Sequence, residues 1–193
     1  MTAQLTAATR TVAGTTLPAA GTWQLDPGHA DVAFVGRHFM LTKVRGRFTE
    51  VSGVVRIGDD PAGSTVEVTI GMASVNSGSD VRDDHLRSAD LFDVERWPVA
   101  TYRSTRVTWT AGDEATVEGD LTIRGVTRPV PLAVRFVGYA LDPWGGHRAV
   151  FSAKGRVNRE EFGITWNMAL ETGGILVSRD VDLEIEVETV WQV

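Results

Sequence analysis

Val181-Asp182-Leu183-Glu184-Ile185-Glu186-Val187-Glu188 alternates apolar and acidic residues without a break. Side chains of a β-strand point to opposite faces in turn, so this stretch is a strand with one dry face and one wet face. The same period of two recurs upstream. Val66, Val68 and Ile70 oppose Glu67 and Thr69. Val117, Gly119, Leu121 and Ile123 oppose Glu118, Asp120, Thr122 and Arg124, and Val130, Leu132, Val134 and Phe136 fall in line. One-sided burial of this kind belongs to antiparallel sheets. Turn signals separate the runs at Gly58-Asp59-Asp60-Pro61, Ala111-Gly112-Asp113-Glu114, Asp142-Pro143-Trp144-Gly145-Gly146 and Thr172-Gly173-Gly174. Counting runs between turns predicts about eight strands. Val99–Thr110 and Val126–Tyr139 are long, and long strands joined in sequence fit an up-and-down barrel better than a short-stranded sandwich.

Asn76-Ser77-Gly78-Ser79 followed by Asp80-Val81-Arg82-Asp83-Asp84-His85-Leu86-Arg87-Ser88 breaks the alternation. Ser77 with Asp80 resembles a capping box, and the acidic residues suit a helix N-terminus. A helix of roughly two turns is predicted here, placed to cover a barrel opening. Residues 1–20, rich in Thr and Ala, read as a disordered tail, and 21–193 as one domain without internal repeats.

The chain has 193 residues, 42% hydrophobic and 23% charged, enough to build a core. Its formal net charge of -6 argues against nucleic acid and against general attraction to anionic membranes, though a local basic patch is compatible with it. Cysteine is absent, which removes disulfides, thiolate metal sites and cysteine nucleophiles. The first twenty residues carry no unbroken apolar run of the signal-peptide kind, and no stretch reaches the length of a transmembrane segment. A cytoplasmic location is therefore expected.

His29, His38, His85 and His147 are spaced too widely for a local metal motif. A site assembled from His29, His38 and His85 on separate elements stays open. There is no G-x-S-x-G elbow, and in Arg82-Asp83-Asp84-His85 the helical neighbours face apart, so adjacency makes no dyad. Gly119–Thr127 reads as strand, tight turn, strand, with Gly125 at positive φ and Thr127 bonding across the turn. Aromatic residues are spread over most strands. They either fill the barrel or wall a cavity, and an eight-stranded barrel is near the size where both occur.

Several segments in order carry a more specific signal. They are Trp23-x-Leu25-Asp26-Pro27-x-His29, Phe34-x-x-Arg37-His38, Arg45-Gly46-Arg47-Phe48, Ser77-Gly78 with Arg82-Asp83-x-His85-Leu86-Arg87-Ser88-x-Asp90-Leu91-Phe92-Asp93, Trp97-Pro98, Gly119–Thr127, Asn158-Arg159-x-x-Phe162-Gly163-Ile164 and Val177-Ser178-x-Asp180-Val181. Together they resemble the YceI-like family of polyisoprenoid-binding, lipocalin-like proteins, from about Gly21 to the C-terminus. The resemblance implies an extended antiparallel barrel with one helix near the middle of the chain and an apolar tunnel. That tunnel would carry or sequester a polyisoprenoid, an isoprenoid quinone or another long-chain lipid, without catalysis. Ala30 stands where some members have serine after the first histidine.

The candidates for the tunnel wall are Phe34, His38, Phe48, Leu86, Phe92, Tyr102, Trp109, Leu121, Phe136, Phe151, Phe162 and Trp166. Asp26, His29, Asp83, His85 and Arg159 are the candidates for a polar rim or a head-group grip. Phe34, Gly36 and His38 share a strand face. Turning it inward is preferred, because the other register would bury Arg37 and demand an acidic partner. No catalytic cofactor is expected, only the bound lipid, and a homodimer is compatible with the sequence. The competing readings are an enzyme using His38 or His85 as general base on a lipid or quinone, and a divalent-metal-binding barrel.

Overall fold

The strand-forming alternation carries into tertiary structure as a single wall. The computed structural model describes residues 8–169 and 175–192, with Ala111 described in its backbone alone. A hairpin of β1 (Thr9–Val12) and β2 (Thr15–Pro18) precedes β3 (Gly21–His38), β4 (Thr42–Phe48), β5 (Val51–Ile57), β6 (Thr65–Gly71) and β7 (Val75–Asn76). Helix α1 (Asp80–Arg87) follows, then β8 (Val99–Ala111), β9 (Glu114–Ile123), β10 (Val126–Leu141), β11 (His147–Asn158) and β12 (Asp180–Gln192). The main sheet runs β12-β11-β10-β9-β8-β6-β5-β3-β4-β7, and β12 also pairs with β3. That last ladder closes an antiparallel eight-stranded barrel of β3, β5, β6, β8, β9, β10, β11 and β12.

β3 is long enough to serve two partners along one edge. Gly21–Gln24 pair with β5, while Val32–His38 pair with β4. Its other edge meets β12 from Val35↔Asp182 to Thr22↔Gln192. The ladder skips at Asp26–His29, where Leu25 opposes Thr189 and Ala30 already opposes Val187. The strands therefore share two ends. One carries the β5–β6, β8–β9 and β10–β11 turns and the start of β3. The other carries the β3–β4 turn, α1, the β9–β10 turn and the segment between β11 and β12.

The predicted helix is present and spans 8 residues, but its cap differs from the capping-box expectation. Ser79 is the N-cap and makes no side-chain cap bond. Asp83, buried, reaches back instead, its Oδ1 accepting the Ser77 backbone N–H at 2.9 Å and the Ser77 hydroxyl. Arg124-Gly125 forms the tight β9–β10 turn at φ 51 and 71, and Thr122 and Thr127 hydroxyls bond across it at 2.8 Å, as the sequence predicts.

The disordered-tail expectation is corrected for residues 8–20, while residues 1–7 lie outside the described ones. Thr9–Val12 and Thr15–Pro18 pair as a hairpin. Ala8 and Leu17 are buried in the core, and Arg10 donates to the Asp59 carbonyl at 2.7 Å and to that of Gly58. Threonine is a β-former through its branched Cβ, so a Thr-rich segment with an apolar surface to lie on becomes a strand. The Thr172-Gly173-Gly174 turn signal lies outside the described residues.

Three strand glycines shape the inside of the wall. Gly46 sits opposite Phe34, Gly119 under the Tyr102 ring, and Gly155 under Leu132. A Cβ at Gly119 would lie 2.5 Å from Tyr102 Cζ and 2.8 Å from the Arg103 carbonyl oxygen, which is backbone and cannot yield. Gly119→Ala is expected to lower stability by about 1–3 kcal/mol through this overlap, and the shift of the denaturant midpoint at unchanged slope is the measurement that checks it.

Candidate functional site: an apolar cavity with one polar end

Closing the sheet leaves a space that the inward side chains do not fill. The cavity measures about 490 Å³ and runs between the two barrel ends, from Ile57, Ser64 and Trp109 to His38, Leu176 and Val177. Val66, Val68, Ile123, Val134, Leu183 and Ile185 line it and are only half-buried despite facing inward, because their remaining exposure is to the cavity. The period-two apolar faces read from the sequence are thus its walls. Val32, Phe34, Gly36 and His38 all border it, which is the preferred register of β3, and Gly36 leaves open room, its nearest neighbour being Ser178 Oγ 3.9 Å from a Cβ built there.

The end at the start of β3 is packed. Trp23 is fully buried and its Nε1–H donates to the Ala19 carbonyl at 3.0 Å. Trp191 stacks on it at 5.9 Å, and Phe136 meets Phe151 at 5.6 Å. Phe136 belongs to this plug and does not line the cavity, a correction to its assignment as a wall residue. The β10–β11 ladder shifts register between Phe136 and Gly138, so alternation along β10 does not carry its inward face evenly to the end.

The other wall candidates, Phe34, His38, Phe48, Leu86, Phe92, Tyr102, Trp109, Leu121, Phe151, Phe162 and Trp166, do line the cavity. Phe34, Phe48 and Phe92 form a cluster with centroids 5.6 to 6.0 Å apart beneath α1. The Tyr102 hydroxyl donates between strands to the Val117 and Val130 carbonyls at 3.1 and 3.0 Å. That position leaves its ring as wall, and burial raises its pKa well above the usual phenol range.

Polar side chains gather at the opposite end: His38 from β3, with the exposed Arg37 of the other β3 face touching the same lining, Ser77, Arg82 and His85 from α1 and its approach, and Arg159 after β11. Arg82 Nε donates to Ser77 Oγ at 2.7 Å and its Nη2 to the Ser77 carbonyl at 2.8 Å. His85 stands edge-on to Trp166 at 4.4 Å and pairs with Asp90, at 3.2 Å, rather than with its sequence neighbours. Arg159 is buried and donates to the carbonyls of Ser178, Ile164 and Trp166 at 2.9, 2.6 and 2.9 Å. Burial lowers its pKa, and among the described residues no carboxylate pairs with it. No Asp or Glu lines the cavity among the described residues. Its polar end is therefore a set of donors and cations.

The remaining rim candidates are not at this end. Asp83 is spent on the α1 cap. Asp26 and His29 sit in the β3 excursion, nine residues along the strand from His38, or about 30 Å at the rise of an extended chain. His29, His38 and His85 therefore form no joint metal site. Asp26, His29 and Glu188 do place ligand atoms within 4.8 Å of one another. A cation already occupies that cluster, since Arg148 Nη1 donates to Asp26 at 2.6 Å and Glu188 at 3.1 Å, and its Nε to Asp142 at 2.9 Å. Arg148 is a residue the sequence reading missed, and nothing local to it in the chain announces three partners. Arg124 is another, tying the β9–β10 turn to the Leu91 carbonyl at 2.7 Å.

The fold and site define a class: a closed antiparallel barrel around an apolar cavity edged at one end by hydrogen-bond donors. The YceI-like domain is matched over residues 23–189, and the chain belongs to that family. Protein YceI of Escherichia coli O6:H1 is 39% identical over 165 residues, covering 85% of this chain and 83% of its own. Among solved structures, Campylobacter jejuni YCEI superposes at TM-score 0.70 with 28% identity, over 81% of this chain and 90% of that one. Burkholderia cenocepacia BcnA, at TM-score 0.74 and 22% identity, matches 85% and 98% of the two chains and shows the shared fold. A polyisoprenoid binding domain from Saccharophagus degradans superposes at TM-score 0.64 with 18% identity, covering 88% and 98%.

The Arg148 guanidinium, bonded to Asp26, holds that carboxyl down at about 2, against an ordinary 3.8. Because the folded-state pKa is depressed, this contribution to stability is present above about pH 4 and lost as pH falls from there to about 2. Asp26→Asn is expected to cost about 1–2 kcal/mol at neutral pH and to flatten the stability profile across that window, read by denaturant titration at several pH values. Arg159→Met strands three carbonyls and is expected to cost about 2–4 kcal/mol and to change the near-ultraviolet signal of Trp166. Arg159→Lys, lacking the planar fork, recovers only part of it.

Proposed function

We propose that the protein binds and carries one long apolar molecule of the polyisoprenoid, isoprenoid-quinone or similar lipid type inside the barrel. The observation that carries the reading is the cavity itself: about 490 Å³, walled mainly by Val, Leu, Ile and Phe, with charged and polar side chains gathered at one end. Burying hydrocarbon is worth roughly 0.8 kcal/mol per methylene, so such a tunnel binds a long chain without covalent chemistry. Empty apolar space of this size is otherwise a loss, because its lining atoms forgo packing contacts.

The polar end supplies orientation. Arg82, Arg159, His38 and His85 lie there with no carboxylate in the lining, which suits a head group that accepts hydrogen bonds or carries negative charge. The chain then lies along the walls toward the packed Trp23–Phe136 end. The structural likeness to a polyisoprenoid binding domain supports the choice of cargo class.

Denaturing extraction of freshly purified protein, followed by mass spectrometry of the organic phase, is expected to release a dominant long-chain species in near-stoichiometric amount. Val134→Trp, which projects an indole into the cavity, is expected to weaken uptake of a supplied polyprenol at least about tenfold while leaving the melting temperature within a few degrees of the parent. An empty extract together with no uptake by the parent overturns the reading.

A further inference from the structure

The turn between β3 and β4 carries two local costs that its contacts inside the fold offset only in part. His38 pairs with Thr42, and the Leu41 N–H donates to the His38 carbonyl at 3.0 Å, so Phe39 and Met40 are the central residues of a tight turn. Both are left-handed, at φ 54 and 61. A hairpin turn of this hand normally takes Asn-Gly, because a Cβ is strained there, and bulky side chains are outliers. Phe39 rests on the His38 ring with centroids 4.0 Å apart, but Phe39, Met40 and Leu41 are still 46%, 49% and 78% exposed, so burial offsets the strain only in part. The second cost is electrostatic. Arg37 and Lys43 are both exposed and lie directly across the two strands from each other, and like charges so placed repel. Neither has an ion-pair partner among the described residues.

The surroundings extend both features. Met168, 56% exposed, is bound to the tip through Leu176, whose N–H donates to the Met168 carbonyl and whose carbonyl accepts from Phe39. A groove beside the tip is bordered by Arg37, Lys43, Arg156, Arg179, Asp180 and Asp182. Arg156 pairs with Asp182 at 2.7 Å and Arg179 with Glu160 at 3.3 Å, which leaves Arg37 and Lys43 as its cations without a carboxylate partner among the described residues, on a chain whose net charge is -6. Apolar side chains at a projecting tip, flanked by the two cations Arg37 and Lys43, match the chemistry of an anionic bilayer surface: hydrocarbon below, negative head groups around. The tip also adjoins the polar end of the cavity, since His38, Leu176 and Val177 line it.

We propose that Phe39, Met40 and Leu41 form an insertion tip that docks the barrel on anionic phospholipid bilayers, with Arg37 and Lys43 against the head groups. Membrane contact offsets both costs at once. It covers the strained apolar turn and neutralises the opposed cations, each worth about fivefold in affinity near an anionic surface. The docking stands on the tip's own chemistry. It rests on the carrier reading only for its purpose, which is to bring the cavity's polar end to the layer where lipid is exchanged.

The test is co-sedimentation of the purified full chain with cargo-free vesicles. Binding is expected to vesicles of phosphatidylcholine with phosphatidylglycerol, to weaken at least tenfold on phosphatidylcholine alone, and to weaken again in high salt, which screens the surface charge. Phe39→Asn with Met40→Gly installs the preferred turn pair. It is expected to raise the melting temperature by about 2–4 °C while cutting vesicle binding at least tenfold, a combination a purely structural turn would not give. Leu41→Asp, outside the strained pair, is expected to cut binding comparably. Polyprenol uptake by the parent in vesicle-free solution reports separately on the cavity. Failure of the parent to bind anionic vesicles, or binding unchanged in both variants, overturns the proposal. So does a concentration-dependent dimer, abolished by Leu41→Asp, in a parent that ignores vesicles; the tip would then be a self-association surface.

Discussion

The ladder between β3 and β12 joins the first and last long strands of the chain and makes a closed wall of the sheet. An open sheet of these strands would leave two edges of unpaired backbone and one apolar face without a partner. Closure resolves both, because the two edges pair with each other and the apolar face turns inward onto itself. The remaining features follow from the geometry of that closure. Eight strands enclose a width at which side chains either just meet or leave one ligand's worth of room. The outcome is decided by how the inward residues lie, at Gly46 under Phe34, Gly119 under Tyr102 and Gly155 under Leu132. Each glycine lets a large neighbour lie close to the wall instead of across the centre.

The ends divide the labour. At one, Trp23, Trp191, Phe136 and Phe151 pack solidly, and Arg148 knits β3, the β10–β11 turn and β12 together through three carboxylates. At the other, the covering elements are α1 and irregular segments, held by arginines that donate to backbone carbonyls: Arg82, Arg124 and Arg159. Carbonyl partners fix a loop without neutralising the cation. The polar end of the cavity is thereby lined by arginines with no carboxylate beside them in the lining among the described residues, on a protein that is acidic overall.

Much of this is legible in the chain. Alternation along β6, β9, β10 and β12 identifies the faces that line the cavity, since a strand's period is strict and the burial contrast is large. The cost of burying Arg37 is enough to orient β3, and the α1 segment announces itself through Ser and Asp. The reading fails where contact partners are far apart in sequence. Phe136 has the right parity for the wall but lies beyond the point where local alternation still locates it relative to the plug. Asp26 and His29 look like companions of His38 by type, yet the length of one strand separates them. Asp83 looks like a rim carboxylate and is consumed by its own helix. The Thr-rich start reads as tail because a short hairpin has little to hold it alone; the barrel surface that orders it belongs to residues much later in the chain.

By itself, then, the sequence determines that this protein is a set of one-sided strands with a single helix, and which side of each strand is dry, because those properties depend only on residue type and a period of two. The tertiary structure alone decides that the dry sides enclose empty space instead of meeting, which end of that space is plugged, and that its polar end is cationic. The physical reason is that void and net local charge are sums over side chains brought together by closure. Residues such as Arg148 and Glu188, or Phe39 and Met168, acquire their meaning only from neighbours that no local pattern names.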